Sequence, residues 1–144
     1  RQGVIRGTEP EGIWQYWNSD GSKDFIFDYG KGLDRVRISE LENSDGIFYK
    51  IGKYQAYSGI VTESGGMKDY LLLGRFVAGK QDGQWVQWYR NGNKEVDGVY
   101  YRGKRHGQWT LWYEDGTMKE KGEFEMGEIN GTYKYWYNNI YRYI

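Results

Sequence analysis

The chain has 144 residues, no cysteine, and 20 basic residues balanced by 20 acidic ones. The zero net charge excludes the basic footprint that is typical of nucleic-acid binders. The missing cysteines exclude disulfides and thiolate metal sites. Aromatic residues make up 19% of the chain, with 22 glycines and one proline. We therefore expect one domain whose core is built from aromatic rings on strands, with glycines at turns.

The sequence predicts no transmembrane segment and no signal peptide. No apolar run approaches the ~18 residues that a membrane-spanning helix needs. The chain begins at Arg1 rather than at methionine. Together with the absence of cysteine, this favours the cell envelope or secretion, while a cytoplasmic location stays open.

The first repeat-like segment runs from Gly12 to Gly21, with Trp14 and Trp17 between them, and residues 25–29 are predicted to form its returning strand. The following segment is the least regular. Residues 30–41 show strand-like alternation only at Val36 and Ile38, whereas residues 44–52 again resemble a later part of the chain, 97–103.

A unit of 24 residues, written at 83–106 and again at 107–130, organises the chain. Such a period indicates a repeat architecture. The predicted units are approximately 12–35 and 36–58, both degenerate, then 59–82, 83–106, 107–130 and a truncated 131–144. The glycines that recur within the units are predicted to be structural turns: Gly83, Gly92, Gly98, Gly103, Gly107, Gly116, Gly122, Gly127 and Gly131.

Two kinds of connection follow from these glycines. Asn91-Gly92 and Asp115-Gly116 predict type I′ hairpin turns, in which both central residues have positive φ. The Gly-x-x-x-Gly segments at 79–83, 103–107 and 127–131 predict tight loops. The fold class is therefore all-β: an elongated, single-layer twisted sheet of stacked hairpins in an antiparallel meander of roughly 11–12 strands.

Alternation along the strands separates two faces. One face is almost wholly aromatic and is predicted to be the core: Trp14, Trp85, Tyr89, Tyr100, Trp109, Tyr113, Phe124 and Tyr133. On the other face a tryptophan recurs beside small or polar residues: Trp17, Trp88, Trp112 and Trp136.

The recurring tryptophans of the second face have two interpretations. In register they form a ladder with rungs about 10 Å apart, on which a glycan, a peptide strand or a cationic group could stack. Alternatively, the rings pack on one another and on Lys or Arg stems to hold the strand register.

The sequence offers no catalytic or metal constellation. His106 is the only histidine, and Asp82 and Asn130 hold the equivalent positions, so we expect a polar turn residue there. No second histidine or cysteine completes a triad or a ligand set. We therefore predict no enzyme activity, no metal and no cofactor. The cluster 104–106 (KRH) is not repeated at 80–82 or 128–130, which argues against membrane-lipid binding.

The pattern G-x-W-x-x-W-Y-x-[ND]-G, followed by G-x-[YF]-x-x-G-K-x-x-G, resembles the MORN repeat. The closer likeness is to its bacterial variant, the YwqK-like antitoxin repeats. The resemblance covers 83–137 well, and 44–82 and 12–21 less fully. It implies an elongated sheet of hairpins that serves as a spacer or a partner-binding surface, and in MORN proteins also as a lipid-binding module.

These observations predict a non-catalytic binding or scaffold module that mediates protein–protein interaction or self-assembly. Self-association would use the last unit, whose end (138–144, NNIYRYI) predicts an apolar edge strand. The alternative is binding of a cell-surface carbohydrate by the tryptophan ladder. Further alternatives are anionic-lipid binding and antitoxin-like partner binding.

Overall fold

The computed structural model describes residues 4–6, 9–67 and 69–138, so the predicted apolar end at 139–144 lies outside the described residues. The protein is all-β, as predicted, with mostly antiparallel sheets. Its strands are β1 (Val4–Arg6), β2 (Glu9–Glu11), β3 (Ile13–Trp17), β4 (Lys23–Asp28), β5 (Arg35–Arg37), β6 (Leu41–Ser44), β7 (Ile47–Lys50), β8 (Gly59–Glu63), β9 (Leu72–Val77), β10 (Lys80–Gln81), β11 (Gly83–Trp88), β12 (Lys94–Tyr101), β13 (Lys104–Trp112), β14 (Met118–Glu125) and β15 (Glu128–Tyr135). A 3₁₀ turn covers Ile38–Glu40.

The main sheet has nine strands in the order β15-β14-β13-β12-β11-β9-β8-β5, and β10 pairs with β9. From β8 onward it is the predicted antiparallel meander. The prediction of purely antiparallel pairing is wrong at one end, because β5 runs parallel to β8. Parallel neighbours need a crossover connection, and here the hairpin β6–β7 lies between them in the chain.

The first face of the main sheet is the one that carries Trp85 and Trp109, and its core is aromatic. The rings meet edge to face, with centroids 5.8 Å apart for Phe76–Trp85 and 4.9 Å apart for Tyr100–Trp109. This geometry is favoured by the ring quadrupoles. The buried members of this cluster are Val36, Leu41, Tyr57, Val61, Leu72, Phe76, Trp85, Trp109 and Phe124.

The predicted core residues divide into two groups. The buried ones are Trp14, Trp85, Trp109 and Phe124. The placement of Trp14 on the same face as the other three is wrong, because it belongs to a different cluster. The half-buried ones are Tyr89, Tyr100, Tyr113 and Tyr133. Tyr89 and Tyr113 follow the ends of β11 and β13, and their hydroxyls donate hydrogen bonds to the carbonyls of Trp112 (2.8 Å) and Trp136 (2.6 Å). These two tyrosines therefore link the ends of neighbouring hairpins.

Gly98 and Gly122 are not turn residues, and their prediction as turns is wrong. They lie inside β12 and β14. An added Cβ at Gly98 would fall less than 3.0 Å from the Trp109 ring, and one at Gly122 less than 3.0 Å from Tyr133. Glycine is needed there because an aromatic ring of the adjacent strand lies against its backbone.

The turns also differ from their prediction. Asn91 and Asp115 are not among the described residues with positive φ, whereas Arg102 and Met126 are, each directly before a positive-φ glycine. The hairpins β11–β12 and β13–β14 do turn at Asn91-Gly92 and Asp115-Gly116, as predicted, but only the glycine of each pair has positive φ, so the type I′ assignment is wrong there. Both residues have positive φ at Arg102-Gly103 and Met126-Gly127, where β12 turns into β13 and β14 into β15. Residues 104–106 and 128–130, predicted as tight loops, are strand residues. Gly107 and Gly131 keep positive φ beside register shifts in β13 and β15, as β-bulges do.

The hairpin β3–β4 packs on the second face of the main sheet, the face that carries Val86 and Trp88. Its side chains form one buried cluster with residues of β8, β9 and β11: Trp14, Phe25, Phe27, Tyr29, Ile60, Leu73 and Val86. The predicted single layer is therefore wrong over β8, β9 and β11. The hairpin covers the aliphatic side chains of this face, and their burial stabilises the fold because it removes apolar surface from water.

Candidate binding surface

The second face carries three of the predicted ladder residues in one row across the sheet. Trp88 lies opposite Lys94 in the β11–β12 register, and Trp112 lies opposite Met118 in the β13–β14 register. The backbone N–H of Trp136 donates to the carbonyl of Lys119 (3.0 Å). One strand lies between successive tryptophans, so they are two strand spacings, or about 10 Å, apart.

The fourth ladder residue does not belong to this sheet. Trp17 ends β3, in the hairpin that packs on the second face. Trp88 is half-buried beneath that hairpin, with its ring centroid 5.9 Å from that of Phe25. The prediction of a four-rung ladder on one sheet is therefore wrong. Trp112 and Trp136 occupy the part of the second face that the hairpin leaves uncovered.

Lys94 joins the hairpin to the main sheet. Its ammonium group is paired with the carboxylates of Asp24 in β4 and of Asp97 in β12, the latter at 2.9 Å. It also lies 5.4 Å from the ring centroid of Phe25 and 5.7 Å from that of Trp112. The Lys94 and Asp24 side chains are each only 17% exposed, so these charges interact with little screening by solvent.

Next to Lys94, the uncovered second face forms a trough. Two cavities of about 470 and 450 Å³ adjoin there and share Gln108, Met118 and Lys121. Trp112 lines the first cavity and Trp136 the second. The trough therefore combines indole rings with amide and ammonium groups. Volumes of this size are typical of ligand-binding clefts.

The edge of the main sheet at β15 is exposed, and apolar side chains alternate there with polar ones. Within the described part of the chain, β15 pairs only with β14. Ile129 and Tyr135 of this strand are exposed, Tyr135 to 68%, and the following Tyr137 is 90% exposed. An exposed edge strand presents backbone N–H and C=O groups that another chain can pair with.

The shifted pKa values of this region belong to tyrosines. Burial and the hydrogen bond from its hydroxyl to Glu120 Oε1 (2.8 Å) raise the pKa of Tyr133 to about 12. Burial, with the contact to the Tyr16 hydroxyl, raises the pKa of Tyr29 far above its ordinary value. Both phenols stay neutral at physiological pH and act as hydrogen-bonding core residues.

His106 does not occupy a turn, contrary to its prediction. It lies in β13 opposite Val99, with its ring 5.9 Å from that of Tyr101. Among residues 4–6, 9–67 and 69–138, the structure brings together no group of three His, Cys, Asp or Glu side chains that could hold a metal ion. Within the same residues, no helix has the length and hydropathy needed to cross a bilayer.

No protein-family model matches the chain, and no curated protein is significantly similar to it. The likeness to MORN repeats stays a prediction that rests on the glycine and tryptophan pattern.

The sequence analysis missed the contacts between the hairpin and the sheet, above all the ion pairs of Lys94 with Asp24 and Asp97. The sequence does contain a signal that the hairpin β3–β4 packs against another surface. Phe25, Phe27 and Tyr29 alternate as in a strand with one buried face, and Val86 places an aliphatic side chain beside Trp88. No pattern within a single strand indicates which charged residues would meet across the two layers.

Proposed function

We propose that this protein is a non-catalytic binding and scaffold module, built of MORN-like repeats, that engages a protein partner, including a second copy of itself. The repeat interpretation is supported by contacts that recur 24 residues apart. The Tyr89 hydroxyl bonds to the Trp112 carbonyl, and the Tyr113 hydroxyl to the Trp136 carbonyl. Gly98 and Gly122 each lie beneath a ring of the next strand in the same way.

The observation that carries the proposal is the exposed edge at β15 with its apolar side chains. A partner strand that pairs with β15 would complete its backbone hydrogen bonds, and it would cover Ile129, Tyr135 and Tyr137 at the same time. Natural sheets protect such edges with lysine, proline or a covering segment, and β15 contains a single lysine, Lys134. Tyrosine is a residue that contributes strongly to interfaces when it is buried.

The test compares wild type with Tyr135→Lys, which places a charge on the edge without altering the core. Tyr54→Lys is the matched control, since Tyr54 is fully exposed and lies outside the sheet. Sedimentation velocity over a range of protein concentrations measures self-association, and affinity capture measures other protein partners. We expect association by wild type and Tyr54→Lys and its loss in Tyr135→Lys. Association that does not depend on Tyr135, or no association by either method, contradicts the proposal.

A second candidate function, carbohydrate binding, is favoured by the trough. Trp112 and Trp136 supply ring faces on which sugar rings stack, and Gln108 and Lys121 between them supply hydrogen-bond donors. The original ladder included Trp17 and Trp88, but the trough contains neither. Anionic-lipid binding and antitoxin-like partner binding stay predictions from the resemblance alone.

Retention on immobilised polysaccharides tests this second candidate. The double variant Trp112→Ala/Trp136→Ala removes both rings of the trough, and Trp17→Ala is the control, because Trp17 lies on the hairpin. We expect the double variant to elute without retention while its far-ultraviolet circular dichroism stays that of the wild type. Equal retention of the double variant and the wild type would refute glycan binding at the trough.

A further inference from the structure

We propose that the pocket between the hairpin β3–β4 and strand β11 binds a quaternary ammonium group. This cavity of about 310 Å³ adjoins the trough at Asp24, which lines both. Five aromatic side chains line it: Tyr16, Trp17, Phe25, Tyr70 and Trp88. Asp24 and Asp69 add two carboxylates to the lining. Aromatic faces together with negative charge form the kind of site that attracts a cation.

The fold holds three of the rings in place. Tyr16 is stacked on Phe25, with centroids 4.6 Å apart and ring planes 13° apart. Phe25 in turn lies against Trp88 of the main sheet, 5.9 Å between centroids. The Tyr16 hydroxyl is hydrogen-bonded to that of the buried Tyr29. The pocket is therefore largely formed before a ligand arrives, which lowers the entropic cost of binding.

The charges around the pocket favour a positively charged occupant. Lys94 carries one positive charge between the two carboxylates of Asp24 and Asp97, so this group of three keeps one net negative charge. Asp69 also lines the pocket. The protein already holds one cation here, because the Lys94 ammonium lies 5.4 Å from the Phe25 ring centroid.

The lining selects a quaternary ammonium over a primary one. A primary ammonium has three N–H donors that each need an acceptor, and it loses strong hydration when it enters an aromatic pocket. A trimethylammonium group has no N–H donor, and its methyl groups present an apolar surface to the aromatic side chains of the lining. The carboxylates of Asp24 and Asp69 supply attraction at longer range, for which no hydrogen bond is required.

Isothermal titration calorimetry with tetramethylammonium chloride is the first experiment. The neutral comparison is 3,3-dimethyl-1-butanol, the carbon isostere of choline, which is titrated beside choline itself. We expect the two ammonium compounds to bind and the neutral alcohol to bind at least about tenfold more weakly than choline, since a desolvated cation–π contact has this magnitude. Equal binding of choline and the alcohol, or no binding of either ammonium compound, would overturn the proposal.

Variants locate the site. Trp17 is 42% exposed, so Trp17→Ala removes a ring of the pocket with little effect on the core, and Asp69→Asn removes a charge at an exposed position. We expect each to weaken choline binding by roughly five- to tenfold. Trp136→Ala and Tyr135→Lys are controls at the other end of the sheet and should bind choline as wild type does. Unchanged binding in both Trp17→Ala and Asp69→Asn overturns the proposal.

Three further probes distinguish the sources of such a group: free choline, a peptide with a trimethylated lysine, and phosphatidylcholine vesicles. The peptide with unmodified lysine and vesicles containing phosphatidylethanolamine are the matched controls. The source is the probe that binds most tightly and loses that affinity in Trp17→Ala. If unmodified lysine or phosphatidylethanolamine binds as well as its methylated counterpart, the pocket does not recognise a quaternary ammonium group.

Discussion

The ring of Trp109 lies against the backbone of Gly98 on the neighbouring strand. A Cβ at Gly98 would overlap three atoms of the indole, and the indole Nε1 donates a hydrogen bond to the carbonyl of Val99 (3.0 Å). Since Trp109 is buried and anchored by this bond, it cannot move aside for a methyl group. The relationship accounts for a glycine in the middle of a strand, where glycine is otherwise unfavourable.

Gly98→Ala should therefore destabilise the fold by about 1–3 kcal/mol, the usual cost of overpacking a core. Gly98 lacks positive φ, so alanine adds no backbone strain and the effect reports the ring contact. Gly122→Ala is the comparison, because Tyr133 above it is only half-buried and can shift. Urea denaturation should show a smaller loss for Gly122→Ala, and a negligible loss at Gly98 would contradict this packing.

Tyr89→Phe removes the hydrogen bond between its hydroxyl and the carbonyl of Trp112 (2.8 Å). We expect a loss of about 1 kcal/mol in the free energy of unfolding, which is typical of one partly buried hydrogen bond. Tyr54→Phe serves as the control, because Tyr54 is fully exposed. Thermal or urea unfolding measures both variants, and similar stability of the two would show that the link between hairpin ends contributes nothing.

Lys94→Met leaves the carboxylates of Asp24 and Asp97 without their shared cation. Methionine is a suitable replacement because Met118 occupies the equivalent position in the next hairpin. Met118 lies opposite Trp112 as Lys94 lies opposite Trp88. Two partly buried carboxylates without a counter-charge should cost about 1–3 kcal/mol. Adding Asp24→Asn should recover part of this loss, and a double-mutant cycle by chemical denaturation measures the coupling. Additive losses would mean that Lys94 and Asp24 do not stabilise each other.

The protein should lose stability in alkaline solution. Burial raises the pKa of Tyr29, Tyr57 and Tyr100, and burial with the Glu120 contact raises that of Tyr133 to about 12. In the unfolded chain the phenol pKa is about 10. The neutral phenols therefore stabilise the fold fully below about pH 10, and this contribution is lost as the pH rises through the folded-state pKa values.

Urea denaturation at several pH values between about 8 and 12 measures this loss, and the absorbance of tyrosinate follows the ionisation. Tyr133→Phe should show a weaker dependence on pH near pH 12 than wild type. A free energy of unfolding that stays constant to pH 12 would contradict the raised pKa values.

Periodicity in the sequence predicted that Trp85 and Trp109 share the first face. The alternation of side chains along a strand places each ring on one face, and the repeat of 24 residues places the two rings at equivalent positions. Periodicity failed for glycine, because a glycine beneath a ring and a glycine in a turn look the same in a sequence. Gly98 and Gly122 hold equivalent positions in the repeat because an aromatic ring of the adjacent strand occupies the space that a Cβ would need. Similarly, the chain does turn at Asn91-Gly92, but Asn91 lacks the positive φ of a type I′ turn, which Arg102 adopts although its residue type gives no such signal.

The second layer could not be predicted from repeat spacing. Repeats describe contacts between neighbouring units, whereas the hairpin β3–β4 packs on strands about 40 to 70 residues away in the chain. Such long-range contacts depend on loop lengths and on both faces together. The alternation of Phe25, Phe27 and Tyr29 indicates a buried face, but it does not indicate which surface covers it. The pocket beside Trp17 and Trp88 therefore became visible only in the folded structure.

The uneven cover of the main sheet has a consequence for the order in which the protein comes apart. Strands β8, β9 and β11 are packed on both faces, while β14 and β15 rely on one aromatic layer and their own backbone pairing. Local unfolding starts where the fewest apolar contacts must be broken. The sheet should thus open from β15 inward, with amide exchange slowing strand by strand towards β9. We expect this local unfolding to stop at β12, where the ion pair between Lys94 and Asp24 holds the hairpin β3–β4 to the main sheet.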